Sequence, residues 1–362
     1  MVSTFIIFLI ILAILIFAHE LGHFIVAKKF GVKVEEFGFG FPPRLFGIRR
    51  GETVYSLNLI PLGGFVKIYG EQGEGRGEEN SFTSKSIFQR AMIISAGVLM
   101  NFALAALLLG LGYKIGLPTV IEEDIPEASI RDLKIQITDV AGGSPAEMAG
   151  LRIGDTITAI GLSEEEKEEI SKVEEVQNFA AQYKGKEILL FIKRGQENLE
   201  FKVLARENPP SGEGPLGIAL AQTGIVSYSI FKSFIKGIVD TVNLTLFIIT
   251  ALAFILYKLM VGLPVGDVIT GPVGIYNLAS QAATLGFIYL LQFTVFLSIN
   301  LGIINILPFP ALDGGRLIFL LIERIKGSPV SQRVENFVHT LGFILLIVLM
   351  ILVTYRDIIR IF

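Results

Sequence analysis

Two histidines four residues apart flank a glutamate in the segment His19-Glu20-Leu21-Gly22-His23. On a helix, residues i and i+4 project from one face about 6 Å apart, so the two imidazoles can fill two positions of a tetrahedral zinc ion. Glu20 lies about 100° further round the helix, beside the open metal position. There it can take a proton from an attacking water molecule and pass it to a leaving amine. The segment therefore predicts a hydrolytic metal site with Glu20 as general base.

The alternative for these residues is a plain helix end at a membrane surface. Apolar residues flank them on both sides, from Ile14 to Ala18 and from Phe24 to Ala27. A charged group kept at bilayer depth costs about 2.5 kcal/mol or more and by default indicates a functional site. This placement favours the metal site.

A third ligand is predicted at Asp313. The chain has no cysteine, so a metal must be bound through His, Asp or Glu. Pro308 and Pro310 end the preceding helix, while Gly314 and Gly315 let the backbone turn and approach closely. A simple cap of the following helix is the alternative for Asp313. The predicted cofactor is one Zn²⁺ per chain, although such a ligand set also accepts cobalt or manganese.

The composition requires a membrane. Of the 362 residues, 52% are hydrophobic and 18% charged, with a mean hydropathy of +0.63. These values are too apolar for an ordinary soluble domain. A net charge of -3 supplies no basic surface, which excludes a nucleic-acid partner.

A substrate inside a bilayer must be unwound before hydrolysis, and its freed backbone groups must then be paired. Asn305 and Asn300 are polar residues in an apolar stretch near the predicted metal, although packing against another helix explains Asn300 equally well. The strand-like segment that follows Gly63 offers an edge to which an extended peptide can add. The predicted substrate-contacting residues are Asn305, Asn300, Pro308, Gly64, Phe65 and Val66.

The charges predict the orientation of the chain. An apolar run over residues 4–27 is followed by Lys28 and Lys29, which places the N-terminus outside and the following segment in the cytosol. Neither the leading positive charge nor the cleavage site of a signal peptide is seen, so the run is expected to stay attached. A second span returns the chain, and the charged segment 118–222, which includes an exposed charge run at Ser163–Glu175, is expected to fold outside as a soluble domain.

The number of spans follows from the metal site. Three further apolar stretches occupy residues 238–257, 286–307 and 336–354. His19 lies toward the cytosolic half of an inward span, so Asp313 can meet it only if the 286–307 span also runs inward. The 238–257 stretch therefore cannot cross completely, and we predict an interfacial or re-entrant element there. Four full spans result.

These motifs together resemble the site-2 protease family of intramembrane metalloproteases, and within it the bacterial branch typified by the regulator-of-sigma-E protease. The likeness rests on the H-E-L-G-H segment, on Gly97–Asn101 in the second span and on N-x-x-P-x-P-x-x-D-G-G near the third. It implies zinc ligands at His19, His23 and Asp313, Glu20 as catalytic base, a substrate-contacting Asn305 and a membrane-associated β-hairpin at about residues 52–69.

The external segment resembles a circularly permuted bacterial PDZ domain. Gly143–Asp155 is similar to its helix-turn signature, and Leu216, Gly217 and Ile218 are similar to its carboxylate-binding loop, which implies peptide binding by these three residues. The sigma-E protease has two such domains, whereas about 100 residues here leave room for one.

The expected fold class is thus a polytopic α-helical membrane protein with four transmembrane helices, a membrane-associated β-hairpin and one inserted extracytoplasmic PDZ-like α+β domain. The predicted segments are the first transmembrane helix (1–30), a cytosolic-side hairpin and loop (31–90), the second helix (91–114), the PDZ-like domain (115–222), an interfacial or re-entrant amphipathic region (223–285), the third helix with its LDG motif (286–315), a cytosolic segment (316–335) and the fourth helix (336–362).

The resemblance implies the second cleavage of regulated intramembrane proteolysis. The expected partners are the lipid bilayer and a single-span protein of the anti-sigma-factor or remnant-signal-peptide type, already cut by another protease. The expected location is the inner (plasma) membrane, with the N-terminus and the PDZ-like domain extracytoplasmic and the active site toward the cytosol. Two alternatives are an ion-coupled transporter, for which we find no inverted repeats, and an inactive PDZ scaffold, which would tolerate loss of Glu20 or Asp313.

Overall fold

The computed structural model describes residues 2–75, 77–121, 125–195, 197–263 and 271–361. The chain divides into two compact units. The first, here called the helical unit, comprises Met1–Gly112 and Ile230–Phe362, and the second, the inserted unit, comprises Tyr113–Ser229.

Long apolar helices build the helical unit. They are α1 (Val2–Lys29), α2 (Ile87–Ile115), α5 (Ile230–Met260), α7 (Phe287–Ile306) and α9 (Gln332–Ile361), with the shorter α6 (Pro272–Leu285) and α8 (Asp313–Lys326) between them. Among the described residues, five helices are long and apolar enough to cross a bilayer, namely α1, α2, α5, α7 and α9. The chain is therefore a multi-pass membrane protein, but the predicted count of four spans is not confirmed.

The fifth candidate is α5, and it differs from the sequence prediction. Residues 238–257 lie within one unbroken helix of 31 residues, so the chain reversal of a re-entrant element is not found there. Near its N-terminal end, α5 packs closely against α2. A Cβ on Gly237 would lie only 2.6 Å from the Ala106 carbonyl oxygen of α2. The predicted region 223–285 also includes residues 264–270, which lie outside the described residues.

A long antiparallel hairpin connects α1 to α2. Its strands are β1 (Val34–Arg50) and β2 (Thr53–Ile68), so the hairpin begins well before the expected residue 52. The strands bend back on themselves, and Phe37 is paired with both Tyr55 and Val66. The last segment of β2, Gly64–Ile68, pairs with β1 along one edge only, which leaves its other edge free of strand partners among the described residues.

The inserted unit is a seven-stranded sheet with two helices, α3 (Pro145–Ala149) and α4 (Val173–Gln182). The strand order is β3-β9-β4-β5-β7-β8, with β6 beside β5. The strands are β3 (Leu117–Val120), β4 (Ile130–Val140), β5 (Thr156–Gly161), β6 (Glu168–Glu169), β7 (Glu187–Arg194), β8 (Glu197–Leu204) and β9 (Ile218–Val226). The sequence predicts strand-like runs at 134–140, 187–193 and 199–205 in this unit. Each overlaps a strand, but β4 begins four residues earlier and β8 two residues earlier than predicted. The charge run that begins at Ser163 is largely exposed, also as predicted.

Alternation along the strands explains the core of the inserted unit. Ile135 and Ile137 on β4, with Ile188 and Leu190 on β7, are at most 2% exposed and point to one face of the sheet. Val176 of α4 packs into the same cluster. This unit thus has a hydrophobic core of its own, as expected for a soluble domain.

Candidate metal centre and substrate cleft

Three side chains converge on one point of the helical unit. His19 and His23 lie one turn apart on α1, with their Nε2 atoms 3.2 Å apart. Asp313, in the first turn of α8, places Oδ2 3.1 Å from Nε2 of His19 and 3.3 Å from Nε2 of His23. Within the described residues this is the one cluster of His, Cys, Asp and Glu side chains able to hold a metal ion.

The second nitrogen of His23 determines which atom faces the centre. Nδ1 lies 2.8 Å from the carbonyl oxygen of Ile93 on α2. A carbonyl only accepts hydrogen bonds, so Nδ1 carries the proton and Nε2 presents a lone pair. The α2 backbone therefore sets the tautomer that a metal ligand requires.

Asn101 of α2 contacts Nδ1 of His19, as the Ile93 carbonyl oxygen contacts Nδ1 of His23. Its amide nitrogen lies 3.2 Å from Nδ1 of His19, and its Oδ1 is buried without a hydrogen-bond partner among the described residues. Exchanging the two amide atoms pairs Oδ1 with an Nδ1 proton, which satisfies the buried oxygen and leaves Nε2 of His19 unprotonated. Ser298 of α7 donates to the Asn101 carbonyl oxygen at 2.8 Å and fixes this residue in turn.

The cluster has the chemistry of a cation site. Oδ2 of Asp313 is buried without a hydrogen-bond partner among the described residues, and the two Nε2 lone pairs face it. Three electron-rich atoms at this separation repel one another unless a cation lies between them. Two imidazoles and a carboxylate are a ligand set that suits zinc.

Glycines give the histidines their space. A Cβ on Gly97 of α2 would lie 2.3 Å from Nε2 of His23 and 2.7 Å from Cε1 of His19. A Cβ on Gly22 would lie 2.2 Å from the Ala96 carbonyl oxygen. Helices α1 and α2 therefore cross in close contact at the level of the site.

The loop between α7 and α8 presents Asp313. A Cβ on Gly314 would lie 2.1 Å from the Leu307 carbonyl oxygen, and one on Gly315 would lie 2.4 Å from that of Phe309. The predicted close approach of these glycines is thus confirmed. The alternative of a capping role is not found, because Leu312 is the N-cap of α8 and Asp313 lies inside the helix.

Glu20 faces the hairpin. Its Oε2 accepts a hydrogen bond from the Val66 backbone N–H at 3.1 Å. This N–H lies on the edge of β2 that has no strand partner, so the free edge points at the site. A cavity of about 280 Å³ is lined both by this edge of the hairpin and by the residues of the site. Its lining includes His19, Glu20, His23, Asp313, Phe65 and Val66.

A charged pair borders the same cavity. The Arg316 guanidinium of α8 donates to the carboxylate of Glu71, which follows the hairpin. Burial alone would lower the pKa of Arg316, but the carboxylates of Glu71 and Asp313 hold this pKa above its ordinary value. Arg316 is therefore a permanent cation beside the site.

The structure separates the predicted substrate-contacting residues into two groups. Phe65 and Val66 line the cavity, and Gly64 begins the same free edge. Asn300, Asn305 and Pro308 are not among its lining residues. The Asn300 amide donates to the Phe296 carbonyl oxygen of its own helix at 2.8 Å, Asn305 is half-buried at the end of α7, and Pro308 is exposed.

The predicted peptide-binding residues of the inserted unit lie where a turn leads into β9. Leu216 is 2% exposed and belongs to the core. Gly217 has φ +76°, and a Cβ there would lie 2.3 Å from that of Ser144, so only glycine fits. Ile218 is the first residue of β9, paired with Val140.

Sequence reasoning missed the residues that contact the candidate ligands and the loop of Asp313. Asn101 was noted only as the last residue of a family-like stretch, and Arg316 was read only as a cytosolic residue. The sequence also predicts only an interfacial position for His339 of α9, but His339 accepts a hydrogen bond at Nδ1 from the Ala311 N–H at 2.9 Å. The available signal was the polarity of Asn101 and His339 inside apolar stretches.

Comparisons with known proteins find related sequences along almost the whole chain. A sequence model of peptidase family M50 matches residues 7–349. The chain is 32% identical over 446 aligned positions to the regulator of sigma-W protease RasP of Bacillus subtilis, with 100% of this chain and 99% of that protein covered. It is 36% identical over 353 positions to the putative zinc metalloprotease CPE1693 of Clostridium perfringens, with 95% of each covered.

The zinc metalloprotease RasP of Oceanobacillus iheyensis is 31% identical over 444 positions, with 99% of this chain and 100% of that protein covered. Both alignments with RasP proteins are longer than the 362 residues of this chain. These relatives therefore carry residues that have no counterpart here.

Proposed function

The chain belongs to peptidase family M50, and from this premise we propose that it is an intramembrane zinc metalloendopeptidase whose ligands are His19, His23 and Asp313. The observation that carries the proposal is the convergence of three ligand atoms within 3.3 Å of one another. Neither alternative class, a transporter or an inactive scaffold, is supported by the relatives.

Glu20 is the general base of the reaction. Zinc, when bound, supplies a Lewis acid that polarises water and the scissile carbonyl. The Glu20 carboxylate takes the proton of the attacking water and later gives it to the leaving amide nitrogen. Its position next to His19 on α1 directs it into the cavity that the ligands share.

The substrate binds as an added strand along Gly64–Ile68. An extended chain finds unpaired backbone groups on this edge, which faces the metal centre across the cavity. Such a chain takes over the Val66 N–H that now donates to Glu20. The carboxylate is thereby released toward the water molecule at the moment when the substrate is in place.

The orientation in the membrane follows from the charges. Lys28 and Lys29 end α1 on the cytosolic side, so the N-terminus is extracytoplasmic. The inserted unit, which follows the returning helix α2, lies on the same outer side and serves as a PDZ-like domain with Leu216, Gly217 and Ile218 in its peptide-binding loop. The membrane is the inner (plasma) membrane.

The substrates are single-span membrane proteins already shortened by another protease. One relative is named for regulating sigma-W, which makes anti-sigma factors a substrate class for this chain. Remnant signal peptides, which are single apolar helices after their first cleavage, are the second class.

The test compares wild type with Glu20→Gln in detergent on a pre-trimmed single-span substrate. We expect Glu20→Gln to retain about one zinc and to lose at least about 100-fold in cleavage rate, the contribution typical of a general base. Glu164→Gln, an exposed change in the inserted unit, is the matched control and should cut like wild type. Equal cleavage by Glu20→Gln and wild type, or the absence of zinc from wild type, would refute the proposal.

A further inference from the structure

The loop that carries Asp313 has an unusual backbone. Ala311 has φ +76°, the left-handed conformation, which costs a non-glycine residue about 1–2 kcal/mol. Around it, the backbone N–H groups of Phe309, Leu312 and Gly315 bond to carbonyl oxygens within residues 307–312. The N–H of Ala311 instead leaves the loop and donates to Nδ1 of His339 at 2.9 Å.

Helix α9 holds this loop from one side. His339 is one turn from Gly342 along the helix, and a Cβ on Gly342 would lie 2.4 Å from Cβ of Pro310 and 2.6 Å from its carbonyl oxygen. The loop therefore lies directly against the α9 backbone. The contact of Pro310 with Gly342 sets the distance between the loop and α9. The hydrogen bond to His339 sets the direction of the Ala311 N–H.

The hydrogen bond determines the state of His339. Because Ala311 supplies a backbone donor, Nδ1 must be unprotonated, so the ring is neutral and carries its proton on Nε2. Nε2 is buried and has no hydrogen-bond partner among the described residues. An unpaired buried donor costs about 1–3 kcal/mol, which an apolar side chain against Phe319 would avoid. The contribution of the imidazole that an apolar side chain could not supply is therefore the Nδ1 acceptor for the Ala311 N–H.

From these contacts we infer that His339 is a positioning residue for the metal ligand Asp313: it locks the left-handed Ala311 and so fixes the carboxylate against His19 and His23. This inference rests on the proposed function, since it concerns the same zinc. Partners that orient metal ligands typically contribute about 10–100-fold to metal affinity.

The experiment measures zinc affinity of the full chain in detergent by competition with a chelator, together with cleavage of the single-span substrate. His339→Leu keeps the bulk and removes the acceptor, so we expect a loss of zinc affinity of about 10–100-fold. Its cleavage should recover when zinc is raised. His339→Asn places Oδ1 where Nδ1 lay and should restore most of the affinity. Thr340→Leu, an exposed neighbour on α9, is the matched control.

The outcomes separate this inference from the proposed function. If wild type binds zinc and cleaves while His339→Leu has the same zinc affinity, the positioning role is refuted and the proposed function stands. If His339→Leu and His339→Asn lose affinity equally, the acceptor is not the cause and the inference is also overturned. If wild type binds no zinc, the proposed function itself fails. The helical content of each variant, measured by circular dichroism, shows that an affinity loss comes from a folded protein.

Discussion

At the scale of single residues, the candidate metal centre requires a glycine at position 97 as well as its three proposed ligands. Gly97 faces both histidines from α2, and no larger residue fits without moving His23. Ordinary contact with an added Cβ requires the ring to move by about 1 Å, which breaks its 2.8 Å hydrogen bond to the Ile93 carbonyl oxygen, the bond that sets its tautomer. The glycine therefore acts on the metal through the orientation of the imidazole.

Gly97→Ala is expected to lower zinc affinity and cleavage by at least about 10-fold, the lower end of the effect of disturbing ligand orientation. The added Cβ would lie 2.3 Å from Nε2 of His23, so the imidazole must rotate away from the centre. Zinc content after dialysis against a chelator provides the measurement. Gly142→Ala is the matched control, because a Cβ there meets nothing within 4 Å. Wild-type zinc retention by Gly97→Ala would contradict this prediction, because the histidines would then tolerate the added Cβ.

At the scale of elements, α8 must be held while it presents Asp313 from its first turn. Arg90 of α2 makes two hydrogen bonds to Glu323 of α8, at 2.6 and 3.0 Å. The side chains are only 11% and 15% exposed. This bidentate pair joins the helix that orients the histidines to the helix that supplies the carboxylate.

Glu323→Gln is expected to lower the free energy of unfolding by about 3 kcal/mol, because it leaves the Arg90 charge buried without its counterion. The double variant Arg90→Met with Glu323→Leu should recover much of the loss, since no uncompensated charge remains. Unfolding by a denaturing detergent, followed by circular dichroism, gives both values. Glu52→Gln breaks an exposed pair with Lys28 and should change stability by less than about 0.5 kcal/mol. A similar small change for Glu323→Gln would contradict the argument.

Elements also show how far sequence reasoning reaches. The spacing of His19 and His23 is a property of one helix, whereas the prediction of Asp313 rests on its proline and glycine neighbours and on the span count. These signals suffice to predict the three residues that the structure brings together. Asn101 lies 82 residues from His19 and Ile93 lies 70 residues from His23, and no periodicity connects such pairs. Their contacts exist only after α1 and α2 pack.

The hairpin illustrates a second limit. The sequence predicts β-like stretches at Thr53–Leu59 and Gly64–Tyr69, which correspond to β2 (Thr53–Ile68), and predicts no strand at β1. Gly38, Gly40, Pro42 and Pro43 interrupt β1, and these residue types argue against a strand. The structure accommodates them because β1 is bent, with register shifts along its pairing with β2. Tertiary pairing here overrides local propensity.

At the scale of the whole molecule, the site restricts the number of membrane crossings. Asp313 follows the end of α7 and meets His19 in the C-terminal half of α1, so α1 and α7 run in the same direction. In the proposed orientation, which places the inserted unit outside, the chain between that unit and α7 must cross an even number of times. Helix α6 has 14 residues and is about 21 Å long, short of a bilayer core of about 30 Å. An α5 that crossed fully would thus lack a return span among the described residues before α7, which exclude 264–270.

We therefore expect both ends of α5 on the extracytoplasmic side, with the helix lying at the interface despite its apolar length. The chain has no cysteine, so single cysteines can be labelled with an impermeant maleimide on right-side-out vesicles. Val261→Cys, just beyond α5, should label from outside like Ser163→Cys in the inserted unit. Ser331→Cys, between α8 and α9, should label only after permeabilisation. If Val261→Cys instead behaves like Ser331→Cys, α5 spans the bilayer, and residues 261–286 must supply the return crossing that keeps Asp313 beside His19.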